Sequence, residues 1–545
     1  MKKLILALLI SVSFLQINAQ PQWTWVNSIN GNSSQIGPAK IAAKPSGGFL
    51  ITGSFSGTQM FGTISLTAAG AKDAYLANYD NLGNCLWATK FGSPLSNTTA
   101  KAIAIDGMGN AYIAGTYTDT MVVGGTTLPP YGVIDMFLIK VDQSGTPIWS
   151  KRCGGQGADN ATALAIDNAD NVYMGGTFFF KAYFDTDSIG NNILHENIVI
   201  AKYSASGQLQ WLKDAGGMQD DACTGLSVSN NRLYMTGNIS GSSCIFAPNS
   251  VSAANTDGFI AKYNLSTGMN LWVKKAGGPQ NDNSTGLGTD QFGNAYMVGN
   301  IIQNCSFGNG IVINAGNFDQ MYIAKYDSLG NCLWAKKGGN PGVPNSAGGI
   351  VTDINGASML LGSFKGTATF SPFNITSTGN EEACFVKYSP NGTCQYALKA
   401  GGAGSDFAYS GAWLPANELV VTGTYQSTAT FGTITINTPP GASYATFLGY
   451  LPGTAAAIES NNGDGANFIV GPNPASNTLN VNFTGFLNAK NAELINATGQ
   501  SVLTQSIAKN ETKLVLNVSD LQAGYYIVKI NNDNTYITKS IQIIK

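Results

Sequence analysis

Between residues 22 and 452 the chain repeats one short pattern of apolar and polar positions. In one unit, Ala102 to Ile105, Tyr112 to Thr116, Phe137 to Val141 and Pro147 to Lys151 are apolar or alternating, and Asp106 to Asn110 and Asp142 to Gly145 separate them. Runs of four or five residues bounded by Asp, Asn and Gly predict strands and tight turns, because a helix needs a longer run with a 3.6-residue period. Three marks each recur seven times in a fixed order. An aromatic precedes a basic, Gly-rich stretch at Trp25, Trp87, Trp149, Trp211, Trp272, Trp334 and Tyr396, at intervals of 61 or 62 residues. An apolar run ends in glycine at Gly53, Gly115, Gly176, Gly237, Gly299, Gly362 and Gly423. A third run is centred on Asn78, Lys140, Lys202, Lys262, Lys325, Lys387 and Gly449.

Four-stranded units in series predict the blades of an all-β, seven-bladed β-propeller over residues 22–452. The period leaves room between the second and third strands, where Phe61-Gly62-Thr63-Ile64, Ser306-Phe307-Gly308 and Phe431-Gly432-Thr433-Ile434 predict an extra hairpin on each blade. Trp23 to Ile29 matches a fourth strand with nothing before it, and the last unit, ending at Phe447 to Leu451, lacks one. The N-terminal strand is therefore expected to complete the last blade. Small residues at Ala102, Ala163, Gly225, Gly286, Gly349 and Gly411 fit strands crowded around an axis.

Composition narrows the setting. Charged residues are only 11% of the chain, glycines number 66 and the net charge is −2. No basic tract offers a footprint for nucleic acid. Lys2 and Lys3, the apolar run Leu4 to Phe14, and Ala19-Gln20 read as a secretory signal over residues 1–19 with its cleavage point. The run is too short for a membrane span. Export permits disulfides, but equivalent positions such as Cys244 and Cys305 on neighbouring blades are expected to lie too far apart for one.

Residues 453–466 are small and polar and read as a linker. Short strands in 467–545 predict a small Ig-like β-sandwich. Pro472-Asn473-Pro474, a Thr-Gly-Gln around Gly499, Leu521 with Gly524, Tyr525 and Tyr526, and a terminal Ile-Ile-Lys at Lys545 resemble the type A C-terminal sorting domain of the type IX secretion system. The resemblance implies a Bacteroidetes-type source, recognition by that secretion machinery, and a secreted or cell-surface location. The repeats of 22–452 resemble the bacterial β-propeller repeat known as SBBP, a family recognised by fold that adds little on activity.

Candidate chemistry concentrates where the fourth strand of one blade leads into the next. These connections carry Gly-Gly followed by Asp or Asn, and Asp159, Asp221, Asp282 and Asp406 are the candidate ligand-binding groups at a funnel mouth. Such oxygens suit a sugar or a Ca²⁺ ion, although side chains of this kind also cap turns and bond a neighbouring backbone. No catalytic constellation and no metal site are marked: His195 is the only histidine, and no C-x-x-C spacing occurs. The leading expectation is a non-catalytic surface protein that binds a glycan or protein. The alternatives are a secreted polysaccharide hydrolase or lyase using the four aspartates, and a structural spacer.

Overall fold

The computed structural model describes residues 20–29, 39–452, 467–471, 475–484, 490–496, 500–508, 511–531 and 536–543. The expected signal (1–19) and linker (453–466) lie outside them. The chain divides into two compact units, Met1–Pro452 and Gly453–Lys545.

Within the first unit the strands form seven antiparallel groups of four. The second group shows the common plan: Thr98–Ile105, Ala111–Tyr117, Asp135–Val141 and Pro147–Gly155, paired in chain order from the inside outward. The innermost strands touch one another in sequence, and that of the seventh group touches that of the first, so they form a closed ring of seven. Between the second and third strands of most blades lies a separate two-stranded hairpin, such as Thr58–Phe61 with Ile64–Thr67. Blade three differs. Its hairpin is continuous with strands Val172–Phe184 and Asp187–Tyr203, and the edge of blade two, Cys153 to Gly155, pairs with Ala182 to Phe184. Blades two and three therefore share one eight-stranded sheet. His195 lies in this long strand.

Trp25–Ile29 pairs antiparallel with Ala445–Leu451, Trp25 facing Tyr450 and Ile29 facing Thr446. The first strand in sequence is thus the outer strand of the last blade. The aromatic mark explains how each blade holds the next. Trp87 Nε1 of blade one donates to Gln143 O, 3.0 Å away, in the turn between the third and fourth strands of blade two. Trp149, Trp211, Trp272 and Trp334 donate to Ala205, Leu265, Ser328 and Pro390 in the same way. Trp25 repeats the contact across the closure, donating to Asn81 O of blade one at 3.2 Å. The turn beneath it carries Gly83 at φ +81°, where a Cβ would sit 3.1 Å from the Trp25 ring. Only glycine gives the turn its left-handed bend and lets the indole lie flat on it.

The lysines of the third mark serve the same contact. Lys140 Nζ donates to Ala205 O, the acceptor of Trp149, and stands 4.8 Å over the Tyr112 ring. Lys202, Lys262 and Lys325 repeat the donation to Leu265, Ser328 and Pro390. Between blades six and seven there is no such turn, because the seventh blade's outer strand comes from the other end of the chain. Trp23 fills that place, edge-on to Phe385 at 4.9 Å and to Phe431 at 5.2 Å.

In the second unit, Asn467–Gly471, Thr478–Thr484 and Lys513–Asn517 form one sheet. Ser501–Ser506, Asn491–Ile495, Gly524–Asn531 and Tyr536–Ile543 form another. Leu479, Val481, Leu494, Leu516, Val528 and Ile541 are buried in one core.

Replacing Trp25 by Ala removes a packed indole and a hydrogen bond at the closure. It is expected to cost about 2–4 kcal/mol, whereas Leu86→Ala, on an exposed outer edge, should cost under ~0.5 kcal/mol. Denaturant midpoints test the pair; equal shifts would remove Trp25 from the closure.

Candidate functional site

The four aspartates nominated from the sequence are turned inward. Asp159, Asp221, Asp282 and Asp406 are each at most 1% exposed. Asp159 Oδ2 accepts from Gly155 N of blade two at 2.6 Å and Oδ1 from Phe179 N of blade three at 2.9 Å. Asp221 accepts from Gly217 and Ser240, and Asp406 from Gly402 and Gln426, in the same pattern. Asp282 Oδ1 accepts from Ile302 N. These carboxylates stitch the edge of one blade to the second strand of the next, and as placed they present nothing to a ligand at a funnel mouth. The expectation that they line such a site is corrected here. A stitch of this kind is needed at every junction, which is why the residue type recurs.

Each stitch meets a second polar side chain from the start of a third strand: Asp135 beside Asp159, Asn197 beside Asp221, Asp257 beside Asp282, Gln320 near Asn345 and Glu382 beside Asp406. At four of these junctions an amide or a lysine offsets the charge. Lys275 reaches Asp257 at 2.9 Å and Lys399 reaches Glu382 at 2.9 Å. Asp135 and Asp159 have neither an amide partner nor, among the described residues, an ion pair. A Cβ on Gly154 would stand 2.9 Å from Asp159 Oδ2 and closer still to Asp135 Oδ1, so both carboxylates converge on this glycine. Burial, with a lesser contribution from Asp135 and Glu196, pushes Asp159 up to about 7. Burial likewise raises Asp282 and Asp406 to about 6.

The cysteines are packing groups. All eight are free thiols and seven are buried. Burial holds them above the usual thiol range, with Cys85 at about 11 and Cys153 at about 12, so little thiolate is present for reaction. Among the described residues no group of three or more His, Cys, Asp or Glu is arranged to hold a metal ion. The Asp-x-x-Gly-Asn segments are turns: Asp106 Oδ1 accepts from Met108 N and Asn110 N, and Asp290 Oδ1 from Phe292 N and Asn294 N. A cleft of about 510 Å³ lies between blade six and the hairpin of blade seven. Its polar groups already bond one another, Thr378 and Lys399 both donating to Glu382.

The axis is where the repeat stops being uniform. Six of the seven innermost strands carry a β-bulge at the same place, near the end that leaves the Gly-Gly connection. The bulged residues are Lys101, Thr162, Thr224, Thr285, Gly348 and Tyr409. A bulged residue lies outside the ladder and its strand is bent, which re-aims side chains. The residue after each bulge is small: Ala102, Ala163, Gly225, Gly286, Gly349 and Ser410. By strand pairing Ser410, not Gly411, is the equivalent position in blade seven. Crowding accounts for the size, since a Cβ on Gly286 would meet Gly349 Cα of the next blade at 3.2 Å. In blade one the same position, paired with Thr52, is Lys40.

Sequence alone showed the small residues but not the bulge, which needs the partner strand to be seen. Among the sorting residues, Leu521 packs against the core of the second unit and Gly524 opens a strand. Pro472, Asn473, Pro474, Gly499, Lys545 and Ala19 lie outside the described residues. So does the Tyr525 side chain. Gln20 is described and donates to Ala397 O at 3.3 Å.

The carboxylate pair at the junction of blades two and three gives a pH dependence of definite sign. An aspartate whose folded value is raised from 3.8 toward 7 holds its proton better folded than unfolded. Its contribution is most favourable at low pH and is lost as pH rises across that window. Asp135→Asn makes the pair resemble Asn197 and Asp221. The variant should gain about 1–3 kcal/mol over the parent at pH 8 and less at pH 5, read from denaturation at both. The same difference at both pH values would show that the charge of Asp135 does not act on Asp159.

Comparison with known proteins bears on both units. The secretion system C-terminal sorting domain family matches residues 470–545, and the β-propeller repeat family SBBP matches 86–116 and 271–304. An uncharacterised WD repeat-containing protein of Acanthamoeba polyphaga mimivirus is 31% identical over 156 residues, 25% of this chain and 11% of that one. The chain thus spans about a tenth of that relative. A protein of unknown function from Dyadobacter fermentans aligns over 79% of this chain and 99% of its own, at 11% identity and TM-score 0.37. A europium-containing methanol dehydrogenase aligns over 79% and 93%, at 9% identity and TM-score 0.34. Likeness at these scores says nothing of activity. Among the described residues no helix is long and apolar enough to cross a membrane. The chain is a β-propeller with SBBP repeats at 86–116 and 271–304, and it carries a type IX secretion C-terminal sorting domain at 470–545, which marks it for export to the cell surface or beyond.

Proposed function

We propose that the propeller is a non-catalytic binding protein for a glycan or protein, displayed outside the cell, and that its ligand enters at the axis on the face of the Gly-Gly connections. One observation carries this reading. Positions that hold the blades together keep their chemistry from unit to unit, whereas the bulged position at the axis runs through Lys, Thr, Gly and Tyr on one common backbone. A ligand without sevenfold symmetry needs a surface without it. The bulged residues are half-buried; the Thr162 hydroxyl donates to Cys223 O of the next blade, and those of Thr224 and Thr285 are buried without a hydrogen-bond partner among the described residues. The hydrolase reading would need the junction aspartates to leave their backbone partners, and nothing in the geometry favours that.

The exported chain, applied to glycan and matrix-protein arrays, is expected to give a restricted set of hits that weaken at least tenfold in Tyr409→Ala. Absence of any hit, or catalytic turnover of a polysaccharide panel, would overturn the proposal. Deleting residues 467–545 should leave the propeller inside the outer membrane, as fractionation would show; unchanged export would separate the sorting domain from the route.

A further inference from the structure

We infer that Tyr131, Tyr183, Arg152 and Lys181, on the sheet shared by blades two and three, form a surface that takes an acidic glycan, its sugar rings against the tyrosines and its carboxylate or sulfate groups on the two cations. None of the four lies on an innermost strand, and neither this surface nor the axial one depends on the other.

Arg152 is the departure that points here. In blades one, four and six a lysine on the fourth strand reaches the carboxylate at the start of the third: Lys90 to Asp73 at 3.6 Å, and Lys275 to Asp257 and Lys399 to Glu382 at 2.9 Å. Arg152 holds the same register. It stands opposite Phe137, two residues past Asp135, as Lys275 stands opposite Phe259, two residues past Asp257. Yet among the described residues it makes no ion pair, and it acts on Asp135 only from beyond that range. Its guanidinium lies 3.9 Å from the centre of the Tyr131 ring instead, and Nη1 donates to Pro129 O at 3.1 Å. The junction thus keeps a buried carboxylate that a lysine would have paired, at a cost. A guanidinium spread on an aromatic ring still offers N–H groups at its rim to a two-oxygen acceptor, which an ammonium in the same place would not.

Tyr131 carries the contact onward. Its ring stacks on that of Tyr183, with centroids 5.5 Å apart and planes at 28°, and Lys181 Nζ stands 5.0 Å over the Tyr183 ring. Tyr183 is 39% exposed. Lys181 has no hydrogen bond or ion pair among the described residues, and Asp185, two residues past Tyr183, is taken by Lys151 at 3.0 Å. Tyr183 and Lys181 sit on the stretch of strand that only blade three continues into its hairpin. Phe180, beside Lys181, takes φ +65° there, a left-handed conformation that a bulky side chain rarely adopts. Two cations in contact with two stacked rings, and with no carboxylate paired to either, complement a ligand that alternates apolar faces with anionic groups. An acidic saccharide is such a ligand, since the C–H face of a pyranose packs on a tyrosine ring while its carboxylate or sulfate meets a cation. An acidic peptide has the charge without the flat apolar face.

The test uses Arg152→Lys, which installs the residue that blades one, four and six carry at this register, and so should fold. Calorimetry on the exported chain compares an oligoalginate tetramer, a sulfated carrageenan tetramer and a neutral laminarin tetramer. The surface is supported if a charged tetramer binds at least tenfold tighter than the neutral one, and if Arg152→Lys and Tyr183→Ala each weaken it at least fivefold. Lys336→Ala, which removes one charge from an exposed edge of blade five, should leave it unchanged. The alginate and carrageenan arms show which anion fits. Arg152→Lys should also unfold at the same or a higher denaturant midpoint than the parent, because the lysine can turn to Asp135. A lower midpoint with unchanged binding makes Arg152 a packing group and overturns the inference. Charged-tetramer binding indifferent to both substitutions overturns this surface and leaves the axial reading standing. Equal binding of the neutral tetramer, or no binding of any, overturns it too. A polyglutamate peptide that binds the parent, with no tetramer doing so, would replace the glycan by a protein.

Discussion

The indole laid on the next blade's turn is the contact on which this architecture depends. Backbone pairing crosses from blade to blade only in short stretches, as Cys153 to Gly155 with Ala182 to Phe184 or Gly216 with Ile245, so much of the cohesion falls to side chains that cross each junction. Here one tryptophan does so with an apolar face and a donor together. Its ring covers a glycine turn and its Nε1 binds the turn's carbonyl, with a lysine from its own blade binding the same oxygen. The indole and its acceptor are 54 or 56 residues apart at each of these junctions, Trp25 and Asn81 included; only the strand pairing that holds Trp25 is long-range. There Trp25 reaches blade one from a strand completed by residues more than four hundred positions away. Closure thus uses the same local chemistry as propagation, with the entropy of bringing the chain ends together added once.

Much of this was legible in the sequence because the same physical need returns with the same period. The strands of a blade, the extra hairpin and the use of the N-terminal strand in the last blade all follow from repeated marks, and pairing of Trp25–Ile29 with Ala445–Leu451 bears the last of these out. Boundaries were less legible. The fourth strand of blade two runs on to Gly155, past the expected Lys151, because its end pairs with the enlarged blade three. That merger depends on Phe178 to Phe184 continuing as a strand where other blades turn, and local pattern gives no sign of it.

The site was less legible than the fold, for a related reason. Repetition attracts attention, and Asp159, Asp221, Asp282 and Asp406 repeat. A residue type that returns at every junction is answering a requirement of every junction, and the backbone N–H groups left by two meeting blades are such a requirement. Departures from the repeat are the harder signal. Lys40 stands where the repeat has alanine or glycine, and a reading that scores similarity passes over it as noise. Lys101, Thr162 and Tyr409 could not be aligned as one position until pairing showed each to be the residue skipped by the ladder.

The bulge explains how one fold can be both rigidly repetitive and open to variation. A residue inside the ladder must fit the pleat and its cross-strand neighbours, so the choice at Ala102 or Gly286 is narrow. A bulged residue has no cross-strand partner and keeps only its backbone constraint, which Lys, Thr, Gly and Tyr all satisfy here. Placed at the innermost strand, that freedom falls at the one region shared by all seven blades. Much of the junction chemistry can then stay fixed while this position changes one blade at a time, although Lys101 and Thr162 still bond the next blade. Lys40 is the exception that sharpens the point, because it varies inside the ladder where variation is expensive.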